Sequence, residues 1–260
     1  PGTWAITAAM LAMLIVTGFL LGTPFAARVP VLPAVVLILG VVLFFRRPGI
    51  FGIGATLTAL FIVSGWVRTS NVLEADRSFY GTVTINEREG VRIMTHGTTV
   101  HGLEFVKSEV RAASYYHTDG PLGWSMGAFG PDAHVGVIGL GAGSLAAHSK
   151  AGQHLDFFEI DPVVERMARR WFTYLPRSPA PVKVIIGDAR LELEREPDAS
   201  YRGLVVDAFS SDSIPVHLLT KQALEMYFRK LEPEGVVVFH VSNRFFDLRR
   251  VLRGHADALG

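Results

Sequence analysis

The chain has 260 residues, no cysteine and a formal charge of +1 at pH 7. Without cysteine, disulfides, thiolate metal sites and a cysteine nucleophile are excluded. The first 68 residues contain four arginines and no acid, so the rest of the chain holds 21 of the 25 basic residues, all 24 acids and a formal −3. No basic cluster with interleaved aromatic residues appears there, and we expect no nucleic-acid partner.

The first 68 residues are predicted to form about three transmembrane helices. Uncharged runs of 25, 17 and 18 residues cover 3–27, 29–45 and 50–67. The first run is long enough to cross a bilayer as a helix, and short turns containing arginine separate the three. We therefore expect contact with membrane lipid and a multi-pass location in the inner or plasma membrane; the alternative is a set of buried helices in a soluble domain. The arginines divide equally between the two sides, so the positive-inside rule does not fix the orientation.

Residues 69–130 are predicted to form a small β module. Strand-like residues occupy 78–86, and after a polar turn at 87–90 the strand pattern resumes at 91–95 and again at 98–105. These runs predict a β-meander of about three strands, followed by an irregular or helical connection.

The polar residues of this module give weak individual signals. For each one, the simplest interpretation is a turn or a strand-face side chain. As a group that precedes the ligand site predicted further along the chain, His101, Tyr115 and Tyr116 are the strongest candidates to line a substrate pocket. The histidines match no zinc-ligand spacing and no carboxylate completes a set, so we expect no metal.

The clearest motif of the sequence is a glycine-rich turn after an apolar run. Residues 135–138 predict a strand, Gly139, Gly141 and Gly143 follow it, and a helix is predicted over 144–151. Glycines let such a turn approach a ligand without a side chain in the way, and the free N–H groups of the helix would face that ligand. A dinucleotide site requires its third glycine where this chain has serine. The G-x-G-x-G spacing instead resembles the first motif of class I S-adenosylmethionine-dependent transferases.

Residues 131–260 alternate predicted strands with predicted helices. The strands after the glycine turn cover 155–160, 182–186, 203–208 and 236–241. Such alternation favours right-handed crossovers and a parallel sheet, with ligands at the carboxyl ends of the strands. The predicted fold class is therefore α/β: a Rossmann-like, class I methyltransferase-type parallel sheet, preceded by a small β module and about three transmembrane helices.

Three acids stand at the carboxyl ends of successive predicted strands. Glu159, Asp188 and Asp207 should converge with the glycine turn on one crevice. We expect Glu159 to accept the hydroxyls of a ribose, Asp188 to bind the exocyclic amine of adenine, and Asp207 to face the reacting end. Ala189, beside Asp188, belongs to the same cofactor-binding set. Asp161 is either a further ligand or the N-cap of the next helix, and we favour the N-cap.

With these motifs, residues 76–246 resemble the spermidine synthase, or polyamine aminopropyltransferase, family. The segments that carry the resemblance are the β-meander, Gly139-Leu-Gly-Ala-Gly143, Phe158-Glu-Ile-Asp-Pro162, Gly187-Asp188-Ala189, and Val206-Asp-Ala-Phe-Ser-Ser-Asp-Ser-Ile-Pro215 with Leu218-Leu-Thr220. With hydrophobic spans in front, the chain resembles the membrane-fused bacterial branch most. The resemblance implies a small β domain on a Rossmann-like domain, decarboxylated S-adenosylmethionine or S-adenosylmethionine as co-substrate, no metal, and transfer of an aminopropyl group to an amine.

The sequence also departs from the family pattern. Tyr80-Gly81 stands where soluble members carry Tyr-Gln, and Thr95-His96-Gly97 stands where they carry Leu-Asp-Gly. After Asp207 they have a second acid three positions later, whereas this chain has Ser210 there and its next acid is Asp212. The amine site is thus partly altered, with Ser210 and Asp212 as candidates to hold the amine and Asp207 as the candidate to accept its proton.

Two other kinds of function stay open from the residues alone. The first keeps the nucleoside and changes the chemistry, as in a methyltransferase or in a lyase or cyclase acting on S-adenosylmethionine; the altered amine site motivates it. The second is a non-catalytic, membrane-attached module that senses the nucleoside. Because cells keep such nucleosides inside, we expect the soluble part of the chain in the cytoplasm.

The two ends of the sequence indicate that the chain is a fragment of a longer protein. The sequence begins at Pro1 without a methionine, and it ends shortly after a predicted fifth strand, where the family sheet continues with a helix and an antiparallel pair. We therefore expect either truncation or a partner, such as a second copy of the chain, over the exposed sheet edge.

Overall fold

The computed structural model describes residues 71–97, 99–107, 112, 116–208, 215–242 and 247–259. These residues belong to one compact unit of the chain. The three predicted transmembrane segments lie outside the described residues. Within the described ranges, no helix is long and apolar enough to cross a bilayer.

The predicted fold class is corrected on this point. The longest described helix has 12 residues, which is about 18 Å at 1.5 Å per residue, against a hydrocarbon core of about 30 Å. The Rossmann-like part of the prediction is supported by the sheet described below, whereas its transmembrane helices are not supported. The predicted cytoplasmic location of the soluble part stays a prediction.

The β module is a four-stranded antiparallel sheet in chain order. Its strands are β1 (Val72–Ser78), β2 (Gly81–Arg88), β3 (Val91–His96) and β4 (Thr99–Phe105). Positive φ angles at Glu89 (53°) and Gly90 (78°) form the tight turn between β2 and β3, as hairpins with a right-handed twist require. The sequence analysis missed β1, which lies at the sheet edge and carries three charged residues among its seven, Glu74, Asp76 and Arg77.

The second sheet has five strands in the order β7-β6-β5-β8-β9. They are β5 (His134–Ile138), β6 (His154–Glu159), β7 (Val182–Ile186), β8 (Tyr201–Val206) and β9 (Leu231–Phe239). Each neighbouring pair is parallel, which confirms the predicted parallel sheet. The chain runs outward from β5 to β7 and then crosses to β8 on the other side of β5. This reversal opens a crevice at the carboxyl end of β5, where ligands bind in such sheets.

Helices lie in four of the connections between strands and after the last strand. In the described residues they are α1 (Pro121–Ala128), α2 (Pro162–Trp171), α3 (Ala189–Arg195), α4 (Lys221–Lys230) and α5 (Leu248–Leu259). The start of α2 is fixed by Pro162 and by the Asp161 carboxylate, which accepts the N–H of Val163 at 2.8 Å. The favoured interpretation of Asp161 as an N-cap is confirmed.

The helix predicted over 144–151 is wrong in type and length. A 3₁₀ turn at Ser144–His148 follows the glycines instead. The hydroxyl of Ser149 donates to the Ala146 carbonyl at 2.8 Å, and the N–H of Lys150 donates to the side chain of Gln153. A continuing α-helix needs the Lys150 N–H for that Ala146 carbonyl, so these contacts end the turn.

The two sheets share one apolar core. Buried Val83, Ile85 and Met94 of the β module belong to the same cluster as Val137 and Phe157 of the parallel sheet. Polar contacts reinforce the junction on the side of α2. A hydrogen bond of 2.6 Å runs from the Trp171 indole to Glu74, and the Ser78 hydroxyl donates to Asp161 at 2.5 Å. The β module is therefore held against the carboxyl ends of the parallel strands.

Candidate functional site

A cavity of about 290 Å³ lies where the carboxyl ends of β5, β6 and β8 meet the β module. Its carboxylates are Glu159, Asp161, Asp188 and Asp207. Its imidazoles are His96, His101 and His217. The described residues that line it include no lysine or arginine. The volume is close to the lower end of the range of ligand pockets, about 300–1,000 Å³, and the acidic lining favours a cationic ligand.

The glycines of the turn are required by the protein's own packing. A Cβ at Gly139 would lie 2.5 Å from the Asp207 carbonyl oxygen, and one at Gly141 would lie 2.4 Å from the His101 carbonyl oxygen. Both residues also have positive φ angles, 98° and 54°, which favour glycine. These glycines let the turn pack against the backbone after β8 and against β4, and Gly139 and Gly141 also line the cavity. Their predicted role in binding the cofactor stays a prediction. Gly143 packs in the same way against the Leu175 side chain.

Glu159 closes the glycine turn from the end of β6. Its Oε2 accepts the N–H of Leu140 at 2.9 Å and its Oε1 accepts the N–H of Asp161 at 2.9 Å. Burial raises the pKa of Glu159, and these two N–H donors act against that rise. Each carboxylate oxygen retains a second acceptor position, so the side chain can accept ligand hydroxyls while it holds the turn.

Asp188 caps a helix and faces a histidine that the sequence analysis missed. One of its oxygens accepts the N–H groups of Arg190 and Leu191 at 2.9 and 3.2 Å, which fixes the start of α3. The other oxygen lies 3.1 Å from Nε2 of His217. The position of His217, just before the Leu218-Leu-Thr220 segment, was the available signal. Ala189 is buried and lines the cavity beside Asp188.

Asp207 is held by two side chains from distant parts of the chain. Its Oδ2 accepts the hydroxyl of Tyr116 at 2.7 Å, and its Oδ1 lies 2.5 Å from Nδ1 of His240. The carboxylate is only 4% exposed, and Nε2 of His240 is hydrogen-bonded to the Ser242 hydroxyl. His240 was missed, although it follows β9 directly and the rule that selected the three acids also applies to the end of β9.

The predicted substrate-binding residues divide into two groups. His101 lines the cavity and Tyr116 contacts Asp207. The three others lie outside the described residues and stay predictions; they are Tyr115, Ser210 and Asp212. The described ranges contain no group of three or more acidic or histidine side chains arranged to hold a metal ion.

Two of the sequence departures are structurally linked. His96 is buried, and its Nε2 lies 2.9 Å from the carbonyl oxygen of Tyr80. A Cβ at Gly81 would come within 2.4 Å of the same Nε2. In this position the imidazole leaves no room for a side chain at residue 81, so the two departures fit one another beside the wall of the cavity that Tyr80 and His96 provide.

The chain is similar to known proteins in both sequence and structure. A polyamine aminopropyltransferase from Vibrio vulnificus (strain CMCP6) is 28% identical over 179 residues, which is 65% of this chain and 58% of that protein. A probable spermidine synthase from Corynebacterium glutamicum ATCC 13032 has a TM-score of 0.54 at 19% identity, over 65% of this chain and 63% of the other. A spermidine synthase in complex with the transition state analogue AdoDATO has a TM-score of 0.55 at 15% identity, over 71% and 64%.

The two structures establish the shared fold. No protein-family profile matches the chain. The chain spans about 58% of the length of the aminopropyltransferase and less than two thirds of each structure.

Proposed function

This chain is spermidine synthase-like in sequence and fold, and from that premise we propose that it transfers an aminopropyl group from decarboxylated S-adenosylmethionine to an amine. The relatives support the family in general, and not its membrane-fused branch. The observation that carries the proposal is the acidic cavity beside the glycine turn, because the sulfonium donor and the ammonium acceptor are both cations.

The residues of the cavity fit a sulfonium nucleoside. Glu159 can accept ribose hydroxyls on the acceptor positions that the backbone leaves open. Asp188, with one oxygen committed to α3, can share the other with the exocyclic amine of adenine, beside Ala189. When bound, the nucleoside supplies a carbon that its sulfonium already activates toward attack.

The described residues of the lining include no lysine or arginine, and this supports the decarboxylated donor. The carboxylate of S-adenosylmethionine would enter a cavity with four carboxylates and, among the described lining residues, no lysine or arginine. Like charges at short distance raise the free energy of such a complex. We expect the decarboxylated nucleoside to bind at least about tenfold more tightly, about 1.4 kcal/mol.

Asp207 is the proposed base. An alkylammonium has no free electron pair, so its nitrogen must lose a proton to Asp207, directly or through water, before it attacks. The new C–N bond then forms as the C–S bond breaks, and the electron pair of that bond stays on sulfur as a neutral thioether. Alignment of the two reactants in the cavity accounts for the remaining acceleration.

The test is a product assay with the full chain. The protein is incubated with each of the two nucleosides, with and without putrescine and other amines, and the products are identified by mass. We expect methylthioadenosine and an aminopropylated amine only when the decarboxylated donor and an amine are both present. Tight donor binding without product across the amine panel would overturn the proposal in favour of a non-catalytic module.

A second candidate is other chemistry on S-adenosylmethionine. It is favoured by the sequence after β8, where Ser210 takes the position at which the family carries its second acid. Methylated product would indicate a methyltransferase. Methylthioadenosine formed from S-adenosylmethionine without any amine would indicate a lyase or cyclase.

A further inference from the structure

His240 connects the candidate base to the protein surface. Its backbone N–H donates to the Val206 carbonyl at 2.9 Å, which sets the residue beside Asp207 at the carboxyl end of the sheet. Its Nδ1 contacts Asp207 and its Nε2 contacts Ser242. Exposure rises along this series: the Asp207 side chain is 4% exposed, that of His240 is 16% exposed, and Ser242 is exposed.

The polarity of these contacts follows from the chemistry of the groups. An ionised carboxylate only accepts hydrogen bonds, so Nδ1 of His240 carries the proton that is shared with Asp207. In the neutral imidazole, Nε2 then has a free electron pair, which accepts the Ser242 hydroxyl. The imidazole thus fixes one oxygen of Asp207, and Tyr116 contacts the other oxygen.

We infer that His240 is a positioning residue for Asp207, which orients the carboxylate by a hydrogen bond to one of its oxygens. The inference rests on the proposed function, in which Asp207 accepts the proton of the acceptor amine. Because the imidazole holds one oxygen and Tyr116 holds the other, the carboxylate is fixed in one orientation when the amine approaches.

The groups that surround the imidazole are consistent with this role. Asp207 reaches it from the end of β8 and Ser242 from its own segment, and Tyr116 contacts the far side of the same carboxylate. Since Asp207 contacts Nδ1 and Ser242 contacts Nε2, the imidazole is held at both of its nitrogens.

Two substitutions of His240 test this hydrogen bond. His240→Ala removes it, and we expect kcat to fall about 100-fold while the dissociation constant of the donor changes less than about twofold. The amide of His240→Asn can still donate to Asp207, and we expect it to regain at least about tenfold of the lost kcat. Equal losses of kcat in both variants, or a loss of donor affinity as large as the loss of kcat, would overturn the inference.

His134→Asn is the matched control. His134 also contacts a carboxylate, Asp156, at 2.9 Å, but it lies at the opposite end of the sheet. We expect its kcat to match that of the wild type within about twofold. A fall of kcat as large as that of His240→Ala would assign the effect to general stability and contradict the role of His240.

A measurement without turnover separates this inference from the proposed function. In the full chain labelled with ¹⁵N-histidine, NMR should show His240 protonated at Nδ1, and Asp207→Ala should shift that resonance strongly. If no amine yields product but this shift is seen, the proposed function fails and the coupling of His240 to Asp207 stands. An imidazole whose signals are the same in both proteins would overturn the inference, whatever the assay gives.

Discussion

The same three kinds of side chain meet at both ends of the parallel sheet. The two clusters consist of Asp207, His240 and Tyr116 at the carboxyl end and Asp156, His134 and Tyr201 at the amino end. In each, an imidazole and a phenol bind one aspartate. The first aspartate lines the cavity, whereas the second lies within β6, between β5 and β7.

The amino-end cluster stabilises the fold through its charges. The hydrogen bond to Asp156 raises the pKa of His134 against the opposing effect of burial. For Asp156, burial would raise the pKa, but the hydrogen bonds from His134 and Tyr201 outweigh it and lower the pKa. Both shifts mean that folding favours the charged pair. Chemical type alone therefore does not decide the role; the role depends on which end of the strands the cluster occupies.

The largest expected effect is that of Asp207→Asn on catalysis. The amide keeps the shape of the side chain but cannot accept the proton of the amine, so we expect kcat to fall by about 10²–10⁴. Donor affinity should change less than threefold, because Glu159 and Asp188 are proposed to hold the nucleoside. Steady-state kinetics and calorimetric titration of the donor measure the two quantities. Undiminished turnover would remove Asp207 from the mechanism.

Asp156→Asn should produce the converse result. Loss of the charged acceptor for His134 and Tyr201 should lower the free energy of unfolding by about 2 kcal/mol, with kcat unchanged within twofold. Urea unfolding measures the change. Asp119→Asn is the control, since its carboxylate is 90% exposed and lies 3.6 Å from the imidazole of His117; we expect less than about 0.5 kcal/mol there. A large loss of kcat in Asp156→Asn would contradict the division between the two clusters.

The sheet was predictable because its strands are short, apolar and separated by polar turns. The predicted 135–138 and 182–186 match β5 and β7 within one residue. The three acids were found by one rule, that the carboxyl ends of parallel strands meet, and the structure brings all three to one cavity. The predicted transmembrane helices, in contrast, rested on hydropathy alone, and the described residues do not support them.

The partners of those acids were beyond the reach of local patterns. Tyr116 and Asp207 are 91 positions apart, and His240 is 33 positions from Asp207. Only tertiary packing brings such residues together. The packing contacts of the glycines could not be predicted either, since the atoms that exclude a side chain at Gly139 and Gly141 belong to Asp207 and His101.

Removal of the two phenol hydroxyls should affect the two clusters differently, with smaller effects than removal of the carboxylates. Tyr116→Phe deletes the 2.7 Å bond to Asp207, and we expect kcat to fall about tenfold, about 1.4 kcal/mol. Tyr201→Phe deletes the 3.0 Å bond to Asp156, and we expect a loss of about 1 kcal/mol in unfolding free energy without a change in kcat. Kinetics and urea unfolding of both variants test the pair. Parallel effects on both quantities in both variants would show that the ends of the sheet are not separable.

The smallest expected effect is the pH dependence that His134 gives to stability. Its pKa is raised in the folded protein, so its contribution is fully present below the unfolded value near 6.5 and is lost as pH rises through the folded value. The stability of the wild type relative to His134→Asn should therefore be greater at pH 5.5 than at pH 8.5, by about 1 kcal/mol or less, because the imidazole is one third exposed. Urea unfolding of both proteins at the two pH values measures this difference. A relative stability that increases with pH would mean that the folded protein favours the neutral imidazole. The cluster at the amino end of the sheet would then not stabilise the fold as a charged pair.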